Sequence, residues 1–177
     1  VVAELGASVV TPDVAVVNLP LGGSVLVQGL TFEVQGLTGV LLDSQGELWL
    51  ERCRFHPLLF VNDFEGPRIS NCASVVMTRC EVDAPLMVHG IRATRSNVHL
   101  YQSVVRGGTG VRLSDAFLAL SGGRIEGAHG ANGSIFFPNG GPGGDGLVLQ
   151  NPERMGELAV RTAVAHLHGE HVEARID

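Results

Sequence analysis

The chain has 177 residues, enough for one domain with a sizeable core; 45% of them are hydrophobic and only 17% charged, so many positions must be buried. A net charge of −6 with 5% aromatic residues excludes the basic, ring-bearing footprint of a nucleic-acid binder, and no apolar run of about 18 residues is present to span a membrane. The 24 glycines and 8 prolines point instead to many short strands between tight turns, with little helix.

Taken in order, the chain repeats two phases. The first reads apolar, any, apolar, any, any, small or apolar, any, apolar, and it occurs six times: from Val25, Leu48, Val75, Val98, Leu118 and Leu158. The second is a glycine followed by apolar, any, apolar. It occurs at Gly39, Gly90, Gly110 and Gly146, with Val14-Ala15-Val16 as a first member and Ile69 as a degenerate one; the glycine suits a corner of positive φ. The sixth positions of the first phase are Leu30, Cys53, Cys80, Ser103, Gly123 and Ala163, at intervals of 23, 27, 23, 20 and 40 residues. About twenty residues at roughly 3.3 Å each is one coil of a solenoid built from short strands, stacked about 4.8 Å apart. A hairpin sandwich needs short strands too, but not the same residue class at the same phase every coil. The expected fold is therefore all-β: a right-handed parallel β-helix of about six rungs. It forms a single domain over residues 1–177, interrupted by corner insertions at 56–67 and 126–145. The start at Val1 suggests a processed product or a piece of a longer protein.

The runs Val25 to Phe32 and Gly90 to Gly107 resemble rungs of the pectin lyase-like superfamily of right-handed β-helices, over roughly Val14 to Ala165. The resemblance implies a fold, not an activity. The Gly-rich corner ending Gly143-Gly144-Asp145-Gly146-Leu147 is similar to corners of large secreted bacterial β-helix proteins, which implies an extracellular or cell-surface setting. The polygalacturonase-like Asn-Thr-Asp, Asp-Asp, Gly-His-Gly and Arg-x-Lys motifs do not occur, and no pectate lyase-like set of acidic calcium ligands with an arginine is evident.

Several residues could carry chemistry. Cys53 and Cys80 share a column on adjacent rungs, within disulfide range, or are simply small core residues above Ser103 and Gly123. Trp49, Arg52, His99, Tyr101 and Arg124 could line a ring-bearing groove of the kind on which sugars stack, or pack across rungs on an outer sheet. His166, His168 and Glu170 could hold a transition metal or belong to a solvated terminal rung. Asp145 alone offers too few oxygens for calcium, so no cofactor is called for. These features favour a non-catalytic, extracellular module for binding or spacing, with polysaccharide or a protein as partner. The competing expectation is a carbohydrate-active enzyme or a fragment of one, which requires carboxylates converging with arginine beside the groove. Uncapped strand edges near Val14 or Val172 could add oligomerisation.

Overall fold

In the computed structural model, the described residues are 7–11, 14–34, 40–57, 66–84, 88–127, 145–150, 158–160, 166–168 and 173–174. They form strands and connections without helix. In chain order the strands are β1 (Ser8–Thr11), β2 (Val14–Val17), β3 (Ser24–Gln28), β4 (Thr31–Val34), β5 (Val40–Asp43), β6 (Glu47–Glu51), β7 (Arg54–Pro57), β8 (Arg68–Ser70) and β9 (Ser74–Thr78). They continue with β10 (Glu81–Asp83), β11 (His89–Thr94), β12 (Asn97–Arg106), β13 (Thr109–Ser114), β14 (Phe117–Glu126), β15 (Leu147–Gln150), β16 (Leu158–Val160), β17 (His166–His168) and β18 (Glu173–Ala174). His56 and Pro57 thus continue a strand, as does Glu126, where the insertions were expected to begin.

All pairing is parallel, and it builds two sheets. The long sheet has 11 strands; the short sheet has 7, in the order β18-β15-β13-β11-β8-β5-β2. The molecule is therefore a parallel β-solenoid. About four turns stand complete where six rungs were expected, because the first and last copies supply strands whose turns are not closed within the described residues.

The register follows the sequence phases. Val25, Leu48, Val75, Val98, Leu118 and Leu158 stack in one column, and Val27, Leu50, Met77, Leu100, Leu120 and Val160 in the next inward one. Past a bend in the long sheet, Phe32, Phe55, Val82, Val105, Ile125 and Leu167 form a third. Leu42, Ile69, Ala93 and Leu113 answer them from the short sheet. Among those whose burial is described, all but the half-buried Val25 belong to the buried core. The Phe32 and Phe55 rings lie 4.7 Å apart and nearly parallel; that separation is the strand spacing itself, so in-register stacking converts identical residues into face-to-face contacts.

The bends are made by backbone, not by glycine alone. Gly29, Arg52, Arg79, Gln102 and Gly122 mark the corner within the long sheet, and all have positive φ; Asn18, Asn71, Arg95 and Asp115 do the same where the short sheet gives way to the long one. For non-glycine residues this conformation costs about 1 kcal/mol or more each. It is held where the corner N–H donates to a carbonyl one rung on: Arg52 to Thr78, Arg79 to Tyr101, Asn71 to Thr94 and Arg95 to Ser114, at 2.8–3.0 Å. The residue after the corner turns inward and satisfies the carbonyls the bend leaves behind. The Cys53, Cys80 and Ser103 side chains donate to the carbonyls of Val27, Leu50 and Met77, respectively, on the rung before. At the other corner Cys72 donates to Leu42 O, and Ser96 Oγ accepts from Cys72 N. Three consecutive members of the sixth-position column, Cys53, Cys80 and Ser103, thus form a ladder of small donors.

The glycines that open the second phase do something different from what their position suggests. Gly90 and Gly110 do not have positive φ. They are required by close approach: a Cβ on Gly110 would sit 2.6 Å from Gly146 O and 2.6 Å from Ile125 Cγ2, and one on Gly90 would meet Gly110 O. Each glycine leaves room for the carbonyl of the next. Gly22, by contrast, has φ of 80° with nothing within 4 Å of its absent Cβ. Gly110→Ala should therefore destabilise the chain by about 2–3 kcal/mol, and Gly22→Ala by about 1 kcal/mol. Urea unfolding of both variants tests the ranking; equal losses would refute the steric assignment of Gly110.

Candidate functional site

The interior is filled with packed side chains, so functional groups must come from the outward columns of the two sheets. On the first half of the long sheet one such column runs Leu26, Trp49, Val76, His99, Ala119. Trp49 is 44% exposed, and Val76, flanked by Trp49 and His99, only 7%. Tyr101 lies two residues beyond His99 on the same face, its ring 6.4 Å from the imidazole and within 11° of parallel. Phe117, on the next rung, lies 5.7 Å from the His99 ring and is tilted 58° to it. Trp49 and His99, two strand spacings apart, are about 10 Å from one another. The result is a flat outer face carrying Trp49, His99, Tyr101 and Phe117 over neighbouring rungs.

Of the residues expected to share a groove, Trp49, His99 and Tyr101 come to this face. Arg52 stands at the corner beside it, 3.3 Å from Glu51. Arg124 lies past the corner, on the second half of the long sheet, in a different set of groups. There Arg106 Nε donates to Glu126 at 2.8 Å and its Nη1 donates to Glu81 at 3.0 Å, with Asp83 3.9 Å away. Arg54 approaches Glu81 at 3.4 Å, and Arg124 pairs with Glu126. Burial works against the charge of Arg106, but its hydrogen bonds to Glu81 and Glu126 outweigh that and raise its pKa above the ordinary arginine value. Neighbouring rungs here alternate in sign: Arg54 lies beside Glu81, and Asp83 beside Arg106, which lies beside Glu126. This cluster went unseen in the sequence, since Arg106 and the glutamates it bonds are 20 and 25 residues apart and meet only once the strand register is fixed. Phe117 was missed for the same reason: it sits at a strand start, opposite Asn97.

All three cysteines are buried and free. A hydrogen bond from Cys80 draws the Cys53 thiol down to about 7 in spite of burial, while the same contact and burial push Cys80 up. Burial also raises Cys72. The other expected sites are less defined. His166 and His168 stand in backbone register with Arg124 and Glu126, but their side chains, and the whole of Glu170, lie outside the described residues. So do the glycines preceding Asp145. Among the described residues no group of three or more His, Cys, Asp or Glu is arranged to hold a metal, and no helix is long and apolar enough to cross a membrane. The chain matches no family model, no curated protein and no solved structure.

Two consequences can be measured. Cys72 and Cys80 have folded-state values above their ordinary 9.0, so the native chain keeps protons that the unfolded chain loses. Their contribution is intact below pH 9 and lost as pH rises beyond it; stability should fall above pH 9, and Cys80→Ser should flatten the fall. A slope unchanged by that substitution would rule out the thiol column as its source. Arg106→Gln should cost about 1 kcal/mol, discounted for the partial exposure of the cluster, and the loss should shrink in high salt, as read from chemical denaturation.

Proposed function

We propose that this chain is a non-catalytic, extracellular β-helix module of pectin lyase-like descent that binds a polysaccharide along the ring face of its long sheet. The observation carrying this reading is the set Trp49, His99, Tyr101 and Phe117 on one flat outer face, with Trp49 and Tyr101 44% and 39% exposed. Sugar rings present C–H faces that pack on aromatic rings, while Glu47, Glu51 and Arg52 at the margins can bond to hydroxyls. Glu47 already accepts a hydrogen bond from Trp49 Nε1 at 3.3 Å, which fixes the indole. An outward strand face suits an extended chain that lies along it.

One observation favours the second reading, a carbohydrate-active enzyme: Glu81, Asp83 and Glu126 converge on Arg106. A general acid or base must be free to exchange a proton with substrate. Here Glu81 and Glu126 each bond to arginine, as an in-register stack of charges requires, so the binding module is the better account.

The test is a panel of neutral and acidic polysaccharides offered to the purified chain, with binding read by calorimetry and unsaturated or reducing-end product followed in the same samples. Binding without product is expected, and Trp49→Ala or Tyr101→Ala should each weaken it roughly tenfold. Product formation abolished by Glu126→Gln would install the enzyme reading instead. Silence on both counts would leave a spacer or protein-binding role.

A further inference from the structure

The ring face has an order along the solenoid axis. Its central outward row reads Trp49, Val76, His99, Ala119 on four successive rungs, so a ring alternates with a small side chain and rings recur on every second rung. Trp49 is 44% exposed while Val76, between the two ring-bearing positions, is only 7% exposed; the surface open to a ligand is therefore set by the rings. Tyr101, parallel to His99 within 11°, and Phe117 on the next rung broaden the second of them. Two residues before the central row along their strands stand Glu47, Ser74 and Asn97, and two residues after it stand Glu51 and Thr78. Hydrogen-bonding groups thus border the apolar row on both sides, roughly 6.6 Å from it at about 3.3 Å per residue.

This pattern discriminates among glycans. A pyranose carries C–H groups on its two faces and hydroxyls around its edge. In a β-1,4-linked chain with equatorial hydroxyls the units form a straight ribbon, the hydroxyls lie along both margins, and successive units are turned over, so the same face recurs at every second unit. The rung spacing of about 4.8 Å is close to the length of one such unit. Trp49 and His99, two rungs apart, are therefore placed to meet the same face of alternate units, with the polar rows against the two margins. An α-1,4-linked glucan coils and loses register with a straight row. Glu47 and Glu51 flank Trp49 on its own strand; their carboxylates accept hydrogen bonds from hydroxyls and repel a chain that carries a carboxylate on each unit.

We propose that the ring face takes an unbranched, neutral, β-1,4-linked glycan lying along the solenoid axis, with one disaccharide repeat for every two rungs. This rests on the polysaccharide reading of the face and narrows it to one linkage and one charge class.

The whole chain is titrated with cellohexaose, with maltohexaose as the isomer that differs only in linkage, and with an oligogalacturonate hexamer as the acidic chain. Trp49 is the single tryptophan, so its fluorescence reports binding at this face without any substitution. Cellohexaose should shift the emission and bind at least tenfold more tightly than either other hexamer. Affinity should climb from the disaccharide to the tetrasaccharide, which reaches from Trp49 to Ala119, and level off beyond it. Trp49→Ala and His99→Ala, checked by circular dichroism, should each weaken cellohexaose binding roughly tenfold by calorimetry; if either fails to fold, the fluorescence shift and the length series of the parent chain decide the matter. Maltohexaose or the oligogalacturonate bound as tightly as cellohexaose, with the same fluorescence shift, would overturn the linkage or charge assignment and leave the polysaccharide reading standing. Cellohexaose binding that leaves the Trp49 emission unmoved, or that is indifferent to chain length, would overturn it as well. Binding of none of the three removes this assignment, and the polysaccharide reading falls with it only if the wider panel is silent too.

Discussion

Everything in this molecule depends on parallel, in-register stacking at one strand spacing. Each rung presents its backbone to the rung above and the rung below, so a residue's neighbours across the sheet are its own counterparts one coil away. The core columns satisfy this constraint with apolar residues that nest or stack, Phe32 on Phe55 being the plainest case. The corners satisfy it with positive-φ residues whose N–H groups continue the ladder around the bend. The cost of the left-handed conformation recurs on each coil, and so does the hydrogen bond that offsets it. Cys53, Cys80 and Ser103 complete the arrangement from inside by donating to the carbonyls that the bend turns away from the strands.

The same constraint explains what could be read from the chain and what could not. A phase of alternating apolar residues recurring each coil is a one-dimensional record of a stacked column, and the strands beginning near Val25, Leu48, Val75, Val98, Leu118 and Leu158 fall where that phase places them. The glycine phase marks real strand starts as well, but its cause is steric. The carbonyl that occupies the space of a Cβ at Gly110 belongs to a residue 36 positions later, which no local rule about φ can reveal. The corner at Arg52, Arg79 and Gln102 was illegible for the opposite reason, since residues that ordinarily avoid positive φ are compelled into it by the next rung.

Site residues divide along similar lines. Trp49, His99 and Tyr101 were visible because their phase within the strand tells which face they occupy. Arg124 was assigned to the same groove, yet a bend separates it from the rings and gives it to the Glu126 cluster. Position within a strand is legible; the angle between two halves of a sheet is not, because it is set by backbone conformation at the corner. The cluster around Arg106 required knowing that β10, β12 and β14 are consecutive rungs in one register, a fact hidden by loops of unequal length.

Because the interior is consumed by packing, this solenoid can differ from any other of its architecture only in its outward columns, and those columns obey stricter rules than an ordinary surface. A side chain placed outward once is a local feature. The same kind of side chain repeated on successive rungs becomes a line parallel to the coil axis, with spacing fixed by the backbone instead of by the side chains. Where charges alternate along such a line, as from Asp83 through Arg106 to Glu126, the line neutralises itself and stabilises the stack. Where rings gather, as around His99, they cover apolar neighbours such as Val76 and leave a flat apolar strip.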